Sequence, residues 1–100
     1  MNNTEVLNVI EKPVGSMKIL LHLHQHKKTT ITNLLRSEHL NQKSTYTALG
    51  KLQNEGLIVL EESDGFPQCK YYLLTDKGRV VARQLNRVAS TLVRDALSKD

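Results

Sequence analysis

Residues 40–60 read LNQKSTYTALGKLQNEGLIVL, and the period of this stretch changes near its end. Asn41 is a strong helix N-cap, because its side-chain oxygen can accept a backbone N–H of the first turn that has no partner inside the helix. From Gln42 to Glu55 the inward positions recur at helical spacing, with Thr45, Leu49 and Leu52 at i, i+4 and i+7. Gly56 then suits the left-handed conformation that ends a helix. Leu57-Ile58-Val59-Leu60 follows as a strongly β-prone run. A helix with a defined inner face therefore passes directly into a strand.

Downstream, Ser63-Asp64-Gly65-Phe66-Pro67 has the composition of a turn, and Cys69 to Leu74 continues as a second strand containing Tyr71 and Tyr72, so the two runs form a β-hairpin. Thr75 caps a last helix that runs to about residue 97, with Asp76 in the first turn where the helix dipole favours an anion. Upstream, Thr29 and Thr30 form a short extended piece, and Thr30 caps a helix from Ile31 to Arg36 buried through Ile31, Leu34 and Leu35. Before it, Ser16 caps a helix through about residue 26 whose Ile19, Leu20 and Leu23 point inward, with the histidines mostly outside that stripe. Thr4 caps a short first helix with Val6, Leu7 and Ile10 on one face, broken at Pro13 and Gly15.

One hundred residues hold one domain with a modest core. Aromatic residues are 4% of the chain against 39% hydrophobic, so that core is built of Leu, Ile and Val, which suits helices. The formal charge of +4 favours a polyanionic partner without proving one. The single Cys69 excludes an intrachain disulfide, and from Met1 onward no signal peptide or membrane span is evident, so the expected compartment is the cytoplasm with no membrane partner.

Three short helices followed by a hairpin describe a helix-turn-helix with a wing, whose third helix enters the major groove of DNA. The expected class is α+β, mainly α: a winged helix-turn-helix with a two-stranded β-hairpin wing and a long C-terminal helix. Its organisation is one domain over residues 1–100, with an N-terminal helix at 1–12, a winged-helix core at 16–75 and a C-terminal dimerisation helix at 76–98. With Thr45, Leu49 and Leu52 inward, Gln42, Lys43, Ser44, Tyr46, Thr47 and Lys51 project outward and can donate to phosphates or base edges. Thr30, Lys28 and Lys70 complete the expected DNA-contacting set. Gly50 leaves a gap in the outer face, at a cost of about 1 kcal/mol of helix propensity.

In order and wording these residues resemble winged-helix regulators of the MarR, PadR and ArsR type. Residues 43–49 with 51–58 are similar to the recognition helix and first wing strand of those families. Leu73-Leu74-Thr75-Asp76-Lys77-Gly78-Arg79 is similar to their passage from the second wing strand into the C-terminal helix. Residues 31–35 with Leu40-Asn41 are similar to their helix-turn-helix corner. The resemblance spans about residues 16–80 and implies a sequence-specific transcriptional regulator acting as a homodimer on a pseudo-palindromic duplex, with recognition helices about 34 Å apart. Family wings often carry an arginine at the tip. Here Glu61, Glu62 and Asp64 stand with only Lys70, which weakens a minor-groove role for the wing. In the last helix Val81, Leu85, Val88 and Leu92 form a heptad-like seam. That seam either folds back on its own domain or, as expected here, pairs two chains.

His22 and His26 share a helix face at a spacing that can bind a metal, but two ligands do not make a site, and exposed polar histidines are expected instead, with no metal or cofactor. No catalytic triad, carboxylate pair, phosphate-binding loop or CxxC motif is present, so an enzyme is not expected. A small-molecule effector would have to sit at the dimer junction between the last helix and the winged-helix core. The rival function is a winged helix used for protein–protein contact in a transcription, replication or other assembly, with Tyr46 as its anchor.

Overall fold

The computed structural model describes residues 3–11, 15–65 and 68–98, leaving aside the side chains of residues 3, 6, 9 and 94–98. The elements run α1 (Asn3–Val6), α2 (Asn8–Glu11), α3 (Ser16–Gln25), α4 (Ile31–Glu38), α5 (Gln42–Asn54), β1 (Ile58–Glu62), β2 (Lys70–Leu74) and α6 (Asp76–Ser98). This is the mainly helical α+β architecture with a hairpin expected from the sequence.

The capping residues explain most of the boundaries. Asn41 accepts from the Ser44 N–H, Thr30 from that of Asn33 and Thr75 from that of Gly78, each satisfying a first-turn donor. Gly56 takes the left-handed conformation at φ 74 and closes α5. Helix α4 runs two residues beyond the expected Arg36 and ends on His39 at φ 54, ψ 44, a region in which histidine is among the more tolerated non-glycine residues.

The start of α3 differs from expectation. Gly15, not Ser16, occupies the cap position, at φ 92 and without a side-chain cap bond. Ser16 lies in the first turn with its hydroxyl buried and without a hydrogen-bond partner among the described residues. The N-terminal helix is also two pieces rather than one, with Thr4 inside α1 rather than capping it. Leu7 falls at the break, where its carbonyl takes the N–H groups of Ile10 and Glu11. Leu7 is therefore exposed while Ile10 packs on the core, and the two do not share one buried face. Expectations resting on Pro13, Phe66 and Pro67 lie outside the described residues.

Strands β1 and β2 pair antiparallel with Ile58 opposite Leu74 and Glu62 opposite Lys70. Thr29 adds a one-residue third strand, exchanging backbone bonds of 3.2 and 2.8 Å with Tyr72. Alternation along β1 puts Ile58 into the core and Val59 outside, as the two-residue period of a sheet requires.

The core joins Ile19, Leu20 and Leu23 of α3, Leu34 of α4, Ala48, Leu49 and Leu52 of α5, Leu57, Ile58 and Leu74 of the hairpin, and Ala82 of α6. Within α4 only Leu34 is fully buried, and Ile31 and Leu35 are half-buried. The approach of α6 depends on Gly78, where a Cβ would lie 1.9 Å from the Leu57 carbonyl oxygen. That carbonyl receives the Thr75 N–H, while the Thr75 hydroxyl donates to the Gly56 carbonyl at 2.6 Å. The end of α5, the start of β1 and the start of α6 thus form one junction.

Candidate nucleic-acid interface

Helices α4 and α5 meet at a corner fixed from both sides. Leu40 donates its N–H to the Leu35 carbonyl and its side chain reaches Gly15 at the root of α3. On α5 the Thr45 hydroxyl donates to the Asn41 carbonyl at 2.7 Å, so this inward polar residue costs no unsatisfied group. Ala48, one turn below Thr45, joins the inner face. The rotation of α5 about its axis is therefore fixed by Thr45, Ala48, Leu49 and Leu52.

What this rotation leaves outside matches the outward set in part. Gln42, Lys43, Tyr46, Thr47 and Lys51 are exposed, and Ser44 is half-buried. The side chains of Gln42, Lys43 and Lys51 have no hydrogen bond or ion pair among the described residues. Thr47 donates its hydroxyl to the Lys43 carbonyl at 3.1 Å, and the Thr30 side chain is engaged as the α4 cap, so each has part of its bonding capacity committed to the fold. Gly50 has open space where a Cβ would stand, so nothing among the described residues demands glycine there.

The wing is set beside this face. Lys28 lies with its Nζ 4.4 Å from the centre of the Tyr71 ring, a cation–π contact that holds the α3–α4 connection against β2. A hydrogen bond with Cys69 pushes the Tyr71 hydroxyl above its ordinary pKa, with the charge of Cys69 and burial adding to it. Tyr72, on the covered side of the sheet, is raised mainly by burial and then by the neighbouring Tyr46. Lys70 is exposed at the far end of β2, opposite Glu62, whose carboxylate accepts from Gln68 at 3.2 Å.

His22 corrects the expectation of exposed histidines. It is 4% exposed, with Nδ1 3.0 Å from Glu38 Oε2 and Nε2 3.1 Å from Thr29 Oγ1. Both ring nitrogens are thereby used to tie α3 to the end of α4 and to the bridging strand. His26 stacks near it, ring centres 4.5 Å apart, but His22 has no nitrogen left for a metal, and among the described residues no three His, Cys, Asp or Glu side chains gather at one point. A signal was present in the sequence: His22 follows Ile19 by three residues and so flanks the buried stripe.

On α6 the seam divides. Val81 and Leu85 are half-buried against the core of their own chain, whereas Val88 is 56% and Leu92 65% exposed. Among the described residues no helix is long and apolar enough to cross a membrane.

The Transcriptional regulator PadR-like family model matches residues 6–84, which narrows the broader resemblance to MarR, PadR and ArsR types. No curated protein sequence matches the chain. The solved structure of ytcD, described as of the helix-turn-helix regulator type, superposes with a TM-score of 0.81 at 23% identity, over 96% of this chain and 98% of that one. The regulator-type protein ytfH from Salmonella typhimurium gives 0.76 at 21% identity, over 93% and 82%. FabT from Streptococcus pneumoniae, solved in complex with DNA, gives 0.73 at 18% identity, over 87% of this chain and 61% of FabT. At these identities the likeness is one of fold.

Proposed function

The chain belongs to the Transcriptional regulator PadR-like family, whose members are regulators and not enzymes, and from that premise we propose that it is a cytoplasmic homodimer that binds a specific duplex DNA sequence. Residues 1–100 act as one domain, in which residues 16–75 read DNA and residues 76–98 pair the chains. Helix α5 enters the major groove. Lys43 and Lys51 sit on phosphates, while Gln42, Ser44, Tyr46 and Thr47 face bases. Thr30, Lys28 and Lys70 contact the flanking backbone.

The observation that carries this reading is the outer face of α5, where Gln42, Lys43 and Lys51 are exposed and their side chains have no partner among the described residues. Polar and cationic donors held on a helix whose rotation is fixed from beneath suit base edges and phosphates. That the similarly folded FabT was solved in complex with DNA supports DNA as the partner. For the dimer, the support is the exposure of Val88 and Leu92 in line with Val81 and Leu85, since an apolar row of heptad spacing is stabilised when a second helix covers it.

The test is a titration with random duplex DNA at several salt concentrations. The logarithm of affinity should fall linearly with the logarithm of salt, and Lys43→Ala should lower that slope by about one unit. On a selected operator Gln42→Ala should relax choice at one base pair while leaving random binding unchanged. Absence of binding at low salt would instead favour a protein partner, with the half-exposed Tyr46 as its anchor.

A further inference from the structure

Gly50 stands on the outer side of α5 and takes no part in the DNA contacts proposed above. A glycine inside a helix is disfavoured relative to alanine, because it loses more backbone freedom on folding. Gly78 has a reason within the fold, since a Cβ there would meet the Leu57 carbonyl. Gly50 has none: apart from its own helix backbone and chain neighbours, no described atom lies within 4 Å of where its Cβ would stand. The residues three and four positions before it, Thr47 and Tyr46, share its side of the helix. Tyr46 is 49% exposed. The Thr47 hydroxyl is given to the Lys43 carbonyl at 3.1 Å, which leaves its methyl group as the part free to meet a base. The outer side of α5 thus holds a bare notch of backbone beside an aromatic ring and a methyl group, one turn beyond Gln42 and Lys43.

The helix itself narrows what can fill this notch. Gly50 lies inside α5, so its N–H is used in the helical hydrogen-bond ladder. A phosphate oxygen brought against it would exchange water for no donor, at a cost. An apolar group incurs no such cost, and the apolar group that base pairs present in the major groove is the thymine 5-methyl. We propose, on the premise that α5 enters the major groove, that Gly50 with Tyr46 and Thr47 receives a thymine methyl group and so selects thymine at one position of the operator. Gly50 is then a specificity-determining residue through the atoms it lacks.

The experiment is a thymine-to-deoxyuridine scan of an operator selected with the wild-type chain, read by fluorescence anisotropy with wild type and Gly50→Ala. Deoxyuridine removes the 5-methyl group and keeps every hydrogen-bonding group of the base. Wild type should lose about fourfold in affinity at one thymine, the worth of one buried methyl group. Gly50→Ala should bind the unmodified operator about tenfold more weakly, because the added methyl occupies the notch. At that same thymine, deoxyuridine should restore part of the variant's loss rather than deepen it. Affinity for random duplex should stay unchanged and Tm should not fall, which separates this effect from damage to the fold. An equal effect of deoxyuridine on both proteins, or an unaltered operator affinity in Gly50→Ala, would overturn the notch and leave DNA binding standing. Failure of the wild-type chain to bind any duplex at low salt would overturn the DNA reading and the notch with it.

Discussion

The two halves of α6 carry the same apolar spacing and meet different surroundings. In the first half Gly78 and Ala82 are buried and Val81 and Leu85 rest on the core. In the second, Val88, Leu92 and Val93 stand 56%, 65% and 58% exposed. The seam continues along the helix after the rest of the fold has ended beneath it. Periodicity thus identifies which residues share a face, whereas what covers that face depends on how far the chain's own core extends. Gly78 marks the covered half, because there the Leu57 backbone approaches closely. The large uncovered residues mark the half on which the proposed second chain would pack.

The strongest way to break this contrast is Gly78→Ala. A methyl group 1.9 Å from the Leu57 carbonyl cannot be absorbed by a side-chain rotation, so the expected loss is about 3 kcal/mol in denaturant unfolding. A loss near zero would mean that the first half of α6 is not docked as described. Next come glutamates along the seam. Leu85→Glu should cost about 2 kcal/mol of fold stability and also weaken pairing, because Leu85 belongs to both environments. Leu92→Glu should leave the fold of the single chain within about 0.5 kcal/mol while producing monomers in light scattering. Equal effects of the two would erase the distinction between the halves.

A second helix glycine sharpens the same point. Gly50 of α5 has open space around it, so Gly50→Ala should stabilise by about 1 kcal/mol and raise Tm by about 4 °C, opposite in sign to Gly78→Ala. If affinity for DNA falls at the same time, the gap serves the duplex. The smallest effect concerns the covered face of the sheet. Burial raises the pKa of Tyr72 above its ordinary 10.0, so the folded chain holds that proton more tightly than the unfolded one. This contribution is fully present below pH 10 and is lost as pH rises through the raised value. Tyr72→Phe should therefore flatten the alkaline decline in Tm.

Features decided by neighbours in sequence were legible there. The caps at Thr30, Asn41 and Thr75 and the left-handed Gly56 follow from local backbone chemistry, and with the inward Thr45, Leu49 and Leu52 they define the order of elements and the outer face of α5. What could not be read depends on what lies opposite in space. Ser16 has the right chemistry for a cap, yet Gly15 takes that position because the chain turns there against Leu40. His22 is polar and falls beside a stripe of leucines, and only the distant Glu38 and Thr29 make its burial tolerable. Gly78 and Ala82 carry no apolar signal of their own, since their value is in the backbone they admit. Within the candidate interface, the outward direction of Gln42, Lys43 and Lys51 was visible, while the half-burial of Ser44 and the use of the Thr47 hydroxyl within the helix required the folded neighbours.

The most direct test of the whole account is the mass of the protein alone and saturated with an operator duplex, measured by light scattering. A free mass twice the 11.3 kDa of the chain, with two chains on each duplex, is the expected result. A free mass of one chain, or a single chain per duplex at saturation, would contradict it.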